Sequence, residues 1–297
     1  MHSIDGSTRL AGVVGTPLSH SLSPPMHNAA YEHLGLDWVY VPLEIADDAG
    51  LHRFVAAVRS MDFVGFNVTM PYKRAVLELC DEVAMAASMA GAVNTVHCAE
   101  GRLIGYNTDG RGLLEALELE AGFVPADRDV VVIGAGGAAS AAVVALILAR
   151  AARVTVAARD LSRAEELVAS MQAHAGQVQL ASELLDEAGP AVSAAALVIN
   201  ATPVGMRPED TSPVPQEWWT EGQVAYDMVY GTRDETAFVT EARAAGARSF
   251  DGLGMLVCQG AIAIDIWSGP DVHAPRDVMR RAAENALAGR TGDTGGT

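Results

Sequence analysis

Positive charge is scarce in this 297-residue chain: 20 Lys and Arg stand against 37 Asp and Glu, for a formal charge of −17. Such a surface repels nucleic-acid phosphates and anionic lipid, so no nucleic acid and no membrane is expected as a partner. Otherwise the acidic excess serves solubility and says nothing about chemistry. Cysteine is nearly absent. Cys80, Cys98 and Cys258 lie far apart without CxxC spacing, which argues against a disulfide framework or a metal site and fits a reducing cytoplasm. The first residues, Met-His-Ser-Ile-Asp-Gly-Ser-Thr-Arg, contain no apolar signal core. Long hydrophobic runs are missing too: the longest, Ala138 to Ala149, falls short of the ~20 residues of a membrane span. What is present is a chain 50% hydrophobic and 19% charged, the profile of a globular protein with a core, long enough for two modest domains.

The first third alternates strand-like and helix-like segments. Leu10 to Val14 reads as a buried strand ending at Gly15, and Val39 to Ile45 and Phe63 to Val68 as further strands. Ser23 followed by Pro24 predicts a helix start with a hydroxyl N-cap. Leu51, Phe54, Val55, Val58 and Met61 fall at helical spacing, and Arg74 to Met89 reads as one helix. Ala92 to Val96 and Leu103 to Tyr106 are short extended pieces, and 110–121 is a helix ended by Gly122. A second unit then opens on Asp129-Val-Val-Val-Ile133, with strand-like runs at Arg153–Ala157, Leu197–Asn200 and Val224–Met228. Helical stretches between most of them predict parallel strands with crossover helices. Two more helices, roughly 253–267 and 275–289, follow, and the Gly/Thr-rich tail is expected to be disordered.

Ile133-Gly134-Ala135-Gly136-Gly137-Ala138-Ala139-Ser140 follows a strand and opens a helix. Gly134 permits a tight turn, Gly136 lets the backbone approach a pyrophosphate, and small Ala139 allows close helix–strand packing. The pyrophosphate would sit on the free amides of the helix N-terminus. The next strand ends about 20 residues on, where an acidic residue would select NAD. Arg159 stands there instead, with Arg163 a turn later. Two guanidinium groups at that point can clamp the 2′-phosphate of NADP. Asp160 between them either accepts a ribose hydroxyl or caps the helix, so NAD stays open as a cofactor.

The remaining motifs are rich in hydroxyl, amide and charged groups beside apolar strands, which suits a pocket for a polyhydroxylated small molecule. They are Ser19-His20-Ser21-Leu22-Ser23-Pro24, Asn67-Val-Thr69-Met-Pro71-Tyr-Lys73, Gly91-Ala-Val-Asn94-Thr95 and Gly105-Tyr-Asn107-Thr-Asp109-Gly110. Downstream stand Asn200-Ala-Thr202-Pro-Val-Gly205, Tyr226-Asp-Met228-Val-Tyr230 and Asp251-Gly-Leu-Gly-Met-Leu-Val-Cys-Gln259. His20 and His27 have neither a carboxylate partner nor a metal set in the sequence and are read as structural.

In order and spacing, from about Gly12 to about Trp267, these motifs resemble the shikimate dehydrogenase family. The resemblance implies an α/β protein of two α/β domains around a cleft, the second a Rossmann-type doubly wound parallel sheet. One domain would comprise 1–109 plus 252–289, the other 110–251, with 290–297 a disordered tail. It also implies reversible NADP-dependent reduction of 3-dehydroshikimate to shikimate, a step of aromatic amino acid biosynthesis, in the cytoplasm, with the small-molecule substrate as chief partner and room for a homodimer. Lys73 and Asp109 match the family's catalytic pair. Ser21 and Ser23 match serines on the substrate carboxylate; Thr69, Asn94 and Gln259 match residues on the ring hydroxyls, and Tyr230 a tyrosine near substrate. Gly134, Ala135, Gly136, Gly137 and Ala138 match the dinucleotide turn, Arg159 and Arg163 the 2′-phosphate motif, and Met228 and Gly252 the flanks of the nicotinamide.

The 2′-phosphate motif commonly reads Asn-Arg-Thr in the family and is Ala158-Arg159-Asp160 here, which loses an amide and adds a negative charge. Leu22 stands where the family often carries Lys or Arg between the serines. Hydride transfer to a ketone needs a positioned proton donor. A lysine, titrating near ~10.4 when unperturbed, can serve in that direction without any shift. The alternatives are a quinate/shikimate dehydrogenase using NAD, which the serine at position 23 disfavours, and a non-catalytic NADP-binding relative, which the retention of both Lys73 and Asp109 disfavours.

Overall fold

The computed structural model describes residues 4–231 and 235–292. It divides into two compact units, 1–108 with 257–297 and 109–256. Among the described residues no helix is long and apolar enough to cross a membrane.

The first unit holds β1 (Arg9–Gly15), α1 (Ser23–Leu34), β2 (Trp38–Glu44), α2 (Asp48–Val58), β3 (Phe63–Val68), α3 (Lys73–Leu79), β4 (Glu82–Val83), α4 (Met85–Ala90), β5 (Thr95–Ala99) and β6 (Arg102–Tyr106). Its sheet runs β2-β1-β3-β5-β6-β4. β2, β1 and β3 are parallel, whereas β5 lies antiparallel to both β3 and β6. Every residue of β3 is buried, as expected of a strand covered on both faces. Its apolar side chains join Val14, Val55, Val76 and Leu103 in the core.

The second unit holds α5 (Asp109–Ala121), β7 (Asp129–Ile133), α6 (Gly137–Leu148), β8 (Arg153–Ala158), α7 (Leu161–Met171), β9 (Gln179–Leu184), α8 (Gly189–Ala194), β10 (Leu197–Asn200), β11 (Val224–Asp227), α9 (Ala237–Ala244) and β12 (Arg248–Phe250). All neighbours in its sheet, β12-β11-β10-β7-β8-β9, are parallel. The strand order reverses between β7 and β10, and the carboxyl ends of strands at such a reversal form the crevice in which open α/β sheets take ligands. α6 carries no charged residue and buries Ala139 to Ile147, so it is an interior helix. The chain returns to the first unit within α10 (Leu253–Ser268) and ends in α11 (Arg276–Gly292).

Several local expectations are corrected. The helix expected over Arg74–Met89 is two, α3 and α4, because Cys80 turns extended (φ −80°, ψ 144°) and Asp81 then accepts from Leu103 N at 2.7 Å and pairs with Arg59 at 2.5 Å. α2 stops at Val58, and Met61 lies beyond it, 49% exposed. The N-cap of α1 is Leu22 rather than Ser23, with no side-chain cap; the Ser21 hydroxyl accepts from Ser23 N at 3.2 Å. α11 continues through 290–292, inside the span expected to be disordered, and 293–297 lie outside the described residues.

Candidate functional site

In the first unit the polar motifs converge on one buried cluster. Asn94 is 2% exposed and sits in the turn before β5. Its Oδ1 accepts from Thr108 N at 2.7 Å and from Thr95 Oγ1 at 3.1 Å, while its Nδ2 donates to Thr108 Oγ1 at 3.0 Å and Gln259 Oε1 at 3.4 Å. Asn67, near the end of β3, donates from Nδ2 to Thr95 Oγ1 at 2.9 Å and accepts from the Tyr40 hydroxyl at 2.8 Å. Buried amides and hydroxyls are costly unless paired, and a chain of mutual hydrogen bonds fixes each group in one orientation. The cluster is therefore a rigid, internally paired set of amides and hydroxyls.

The other expected residues of this unit border it. Lys73 is the first residue of α3, and its carbonyl accepts from Val93 N at 2.8 Å, which ties the start of that helix to the Asn94 turn. Thr69 follows β3, with its N–H donating to Val14 O at 2.9 Å; a Cβ on Gly15 would lie 2.3 Å from the Thr69 methyl, so a glycine is required there for the approach. Ser21 and Ser23 share the hydrogen bond at the start of α1, and Arg290 of α11 donates to the carbonyls of His20 and Ser21 at 3.0 and 3.2 Å. His27 is wholly buried, stacks on Tyr40 at 4.0 Å, and engages Ser23 O through Nδ1 at 2.9 Å. Burial pushes its pKa down to about 4, so it is neutral and structural. Burial pushes the thiols of Cys80 and Cys98 up to about 11 and about 12, which leaves both inert as nucleophiles.

In the second unit Asp109 opens α5 and is 8% exposed. The glycine turn lies between β7 and α6. Gly134 has φ +110°, and a Cβ there would lie 2.9 Å from the Thr202 methyl. By contrast, Cβ atoms on Gly136 and Gly137 would meet nothing within 4 Å, and no side chain caps α6. The turn therefore offers open backbone and free amides at the strand-order reversal, a fit for a pyrophosphate. Arg159 and Arg163 are both exposed beyond β8. Asp160 takes the N-cap position of α7 without capping through its side chain, and its carboxylate instead lies 3.5 Å from Arg163 Nε. Gly252 donates to Val229 O at 3.0 Å, and a Cβ on it would fall 2.4 Å from Met228 O, so these two segments touch through backbone. Tyr230 is 37% exposed.

Tyr40, Asn67, Thr95 and Thr108 belong to the buried cluster but were not singled out as site residues from sequence. The last three lie inside the quoted motifs, whereas Tyr40 lies in a plain strand whose pattern gives no sign of its hydroxyl. In the second unit the sequence likewise passed over Asp227, flanked in its motif by Tyr226 and Met228.

Residues 13–96 match the shikimate dehydrogenase substrate binding domain, 120–205 the shikimate/quinate 5-dehydrogenase family, and 252–284 the shikimate 5′-dehydrogenase C-terminal domain. The Geobacter metallireducens protein named shikimate dehydrogenase (NADP(+)) is 43% identical over 288 residues, 96% of this chain and 99% of that one. The crystal structure of shikimate 5-dehydrogenase from Thermus thermophilus, in complex with NADP(H) and shikimate, is 38% identical with a TM-score of 0.83, over 94% of this chain and 100% of that one. Quinate dehydrogenase from Corynebacterium glutamicum, in complex with NAD, is 31% identical with a TM-score of 0.85, over 94% and 99% of the two chains. With the glycine turn at its sheet reversal, the buried Asn94 cluster and this likeness along nearly its whole length, the chain belongs to the shikimate dehydrogenase family.

Proposed function

We propose that the chain is an NADP-dependent shikimate dehydrogenase, reducing 3-dehydroshikimate reversibly to shikimate. The observation that carries the reading is the Asn94 cluster, a buried set of amides and hydroxyls fixed before any ligand arrives. Thr69, Asn94 and Gln259 hold the ring hydroxyls of the substrate, and Ser21 and Ser23 its carboxylate, with Tyr230 beside it. Lys73 donates the proton to the oxygen at C3 during reduction and recovers it during oxidation, with Asp109 as the second member of the catalytic pair. When bound, NADP carries the hydride at C4 of its nicotinamide. Gly134 to Ala138 cradle its pyrophosphate, Met228 and Gly252 flank the nicotinamide, and Arg159 holds the 2′-phosphate. Arg163 contributes less, because Asp160 already engages it. That pairing is the one feature favouring a share of NAD use. A reducing cytoplasm suits the chain, whose three cysteines are not joined in disulfides.

The test is a spectrophotometric assay of the purified protein with shikimate and quinate, each with NADP⁺ and NAD⁺. Reduced nicotinamide should accumulate fastest with shikimate and NADP⁺. Absence of turnover with every pair overturns the enzyme reading, and preference for quinate with NAD⁺ moves the chain to the other branch of the family.

A further inference from the structure

Asp227 is the last residue of β11 and is wholly buried at the carboxyl end of the parallel sheet. Taking a carboxylate out of water costs several kcal/mol, and apolar residues of similar volume often serve a fold as well or better. This carboxylate is nevertheless held by donors from three segments. Asn200 Nδ2 at the end of β10 donates at 2.9 Å, Val229 N in the chain leaving β11 at 3.0 Å, and Thr236 Oγ1 at the N-cap of α9 at 2.6 Å. Burial, with Asp251 nearby, pushes its pKa up to about 6 against the pull of those donors.

The hydrogen bonds continue from Asn200 into the next loop. Asn200 Nδ2 also donates to Val204 O at 3.0 Å, and its Oδ1 accepts from Thr202 N at 3.1 Å and Thr202 Oγ1 at 2.7 Å. Thr202 is the residue whose methyl a Cβ on Gly134 would strike. Gly205, at φ +107°, closes the loop against Thr236, where a Cβ would lie 3.0 Å from the threonine methyl. On the other side Val229 leads from Met228 to Tyr230, and its carbonyl accepts from Gly252 N. One buried charge thus sets the loop abutting the glycine turn and the direction in which the chain leaves β11.

We infer that Asp227 is a positioning residue for NADP, touching no reacting atom but fixing the Thr202–Gly205 loop and the Met228–Tyr230 segment in the arrangement the cofactor binds. This inference rests on the NADP reading above. Its test is calorimetric titration of NADP⁺, and separately of shikimate, into the protein alone. Asp227→Asn keeps the shape but offers a donor to donors, and hydrogen bonds to charge are worth about 1.5–3 kcal/mol each. NADP⁺ should bind Asp227→Asn about 10- to 150-fold more weakly. The shikimate dissociation constant should be unchanged, and in turnover KM for NADP⁺ should rise while kcat at saturating cofactor holds. A folded Asp227→Asn protein that binds NADP⁺ like wild type overturns the inference. If Asp227→Asn does not fold, Thr236→Val and Thr236→Ser decide. Weaker NADP⁺ binding in the valine variant with rescue by serine supports the inference, and wild-type binding in the valine variant overturns it. A wild-type protein that fails to bind NADP⁺ sinks the cofactor reading itself, a result distinct from either.

Discussion

The two units are built from different materials. The first presents side chains: Asn94, Thr95, Thr108 and Gln259 lock one another in place below the surface. The second presents backbone: Gly136 and Gly137 open the start of α6 with nothing within 4 Å of their Cβ positions, and the side chains that matter there, Asn200 and Asp227, serve to hold loops. A ring of hydroxyls differs from its analogues in single donors and acceptors, which only specific side chains can read. A pyrophosphate is the same in every dinucleotide, so main-chain amides suffice, and specificity moves outward to exposed arginines. Substitution should therefore act on substrate affinity at the Asn94 cluster of the first unit, and on cofactor affinity at the glycine turn and exposed arginines of the second.

The largest effect is expected at Lys73. Replacement by alanine should lower kcat by about 10²–10⁴-fold, the usual range for loss of a general acid, with the NADP⁺ dissociation constant unchanged. If Lys73 and Asp109 act as a unit, adding Asp109→Asn to that variant should cost little more. Steady-state rates of the single and double variants check this, and near-normal kcat in Lys73→Ala would make the lysine structural. Next comes Gly134→Ala. A side chain at φ +110° is strained by about 1–3 kcal/mol, and here it also meets Thr202, so the turn must shift. NADP⁺ should bind about 10- to 100-fold more weakly by calorimetry, with shikimate binding intact.

The smallest effect concerns the first unit alone. His27 is neutral when folded, with a pKa of about 4 against an ordinary 6.5, so the unfolded chain takes up the proton first. The stability linked to His27 is thus complete above about pH 6.5 and falls as pH drops toward 4, by about 2 kcal/mol at pH 5. Urea unfolding at pH 7 and pH 5 should show that loss in wild type and a smaller one in His27→Phe. An equal loss in both would remove His27 as its source.

Much of this contrast was legible in the sequence, because interior strands and glycine turns leave strong signals. Phe63–Val68, Asp129–Ile133 and Leu197–Asn200 are continuous apolar runs and form strands with those bounds. The edge strands β4, β9 and β12 were missed, since a strand with a partner on one side only need not carry such a run; β9, Gln-Leu-Ala-Ser-Glu-Leu, has no fully buried residue. The break between α3 and α4 was hidden for another reason. It depends on Asp81 meeting Arg59 and the backbone of Leu103, partners about 20 residues away on either side that no local pattern records. Tyr40, Asn67 and Asp227 escaped likewise: each matters through what it holds, and a holding residue is known only once its partners are placed.

The most direct test of the division of labour is a crossed titration. Gln259→Ala removes a side chain that accepts from Asn94 Nδ2 at 3.4 Å and Thr108 Oγ1 at 3.5 Å, and Arg159→Ala removes an exposed guanidinium. Shikimate and NADP⁺ are titrated separately into each variant. Gln259→Ala should lose about 5- to 10-fold in shikimate affinity and none for NADP⁺, since a neutral hydrogen bond contributes about 1 kcal/mol. Arg159→Ala should lose about 10- to 150-fold for NADP⁺ and none for shikimate or NAD⁺. If either variant weakens both ligands alike, the separation of side-chain and backbone recognition between the two units is wrong.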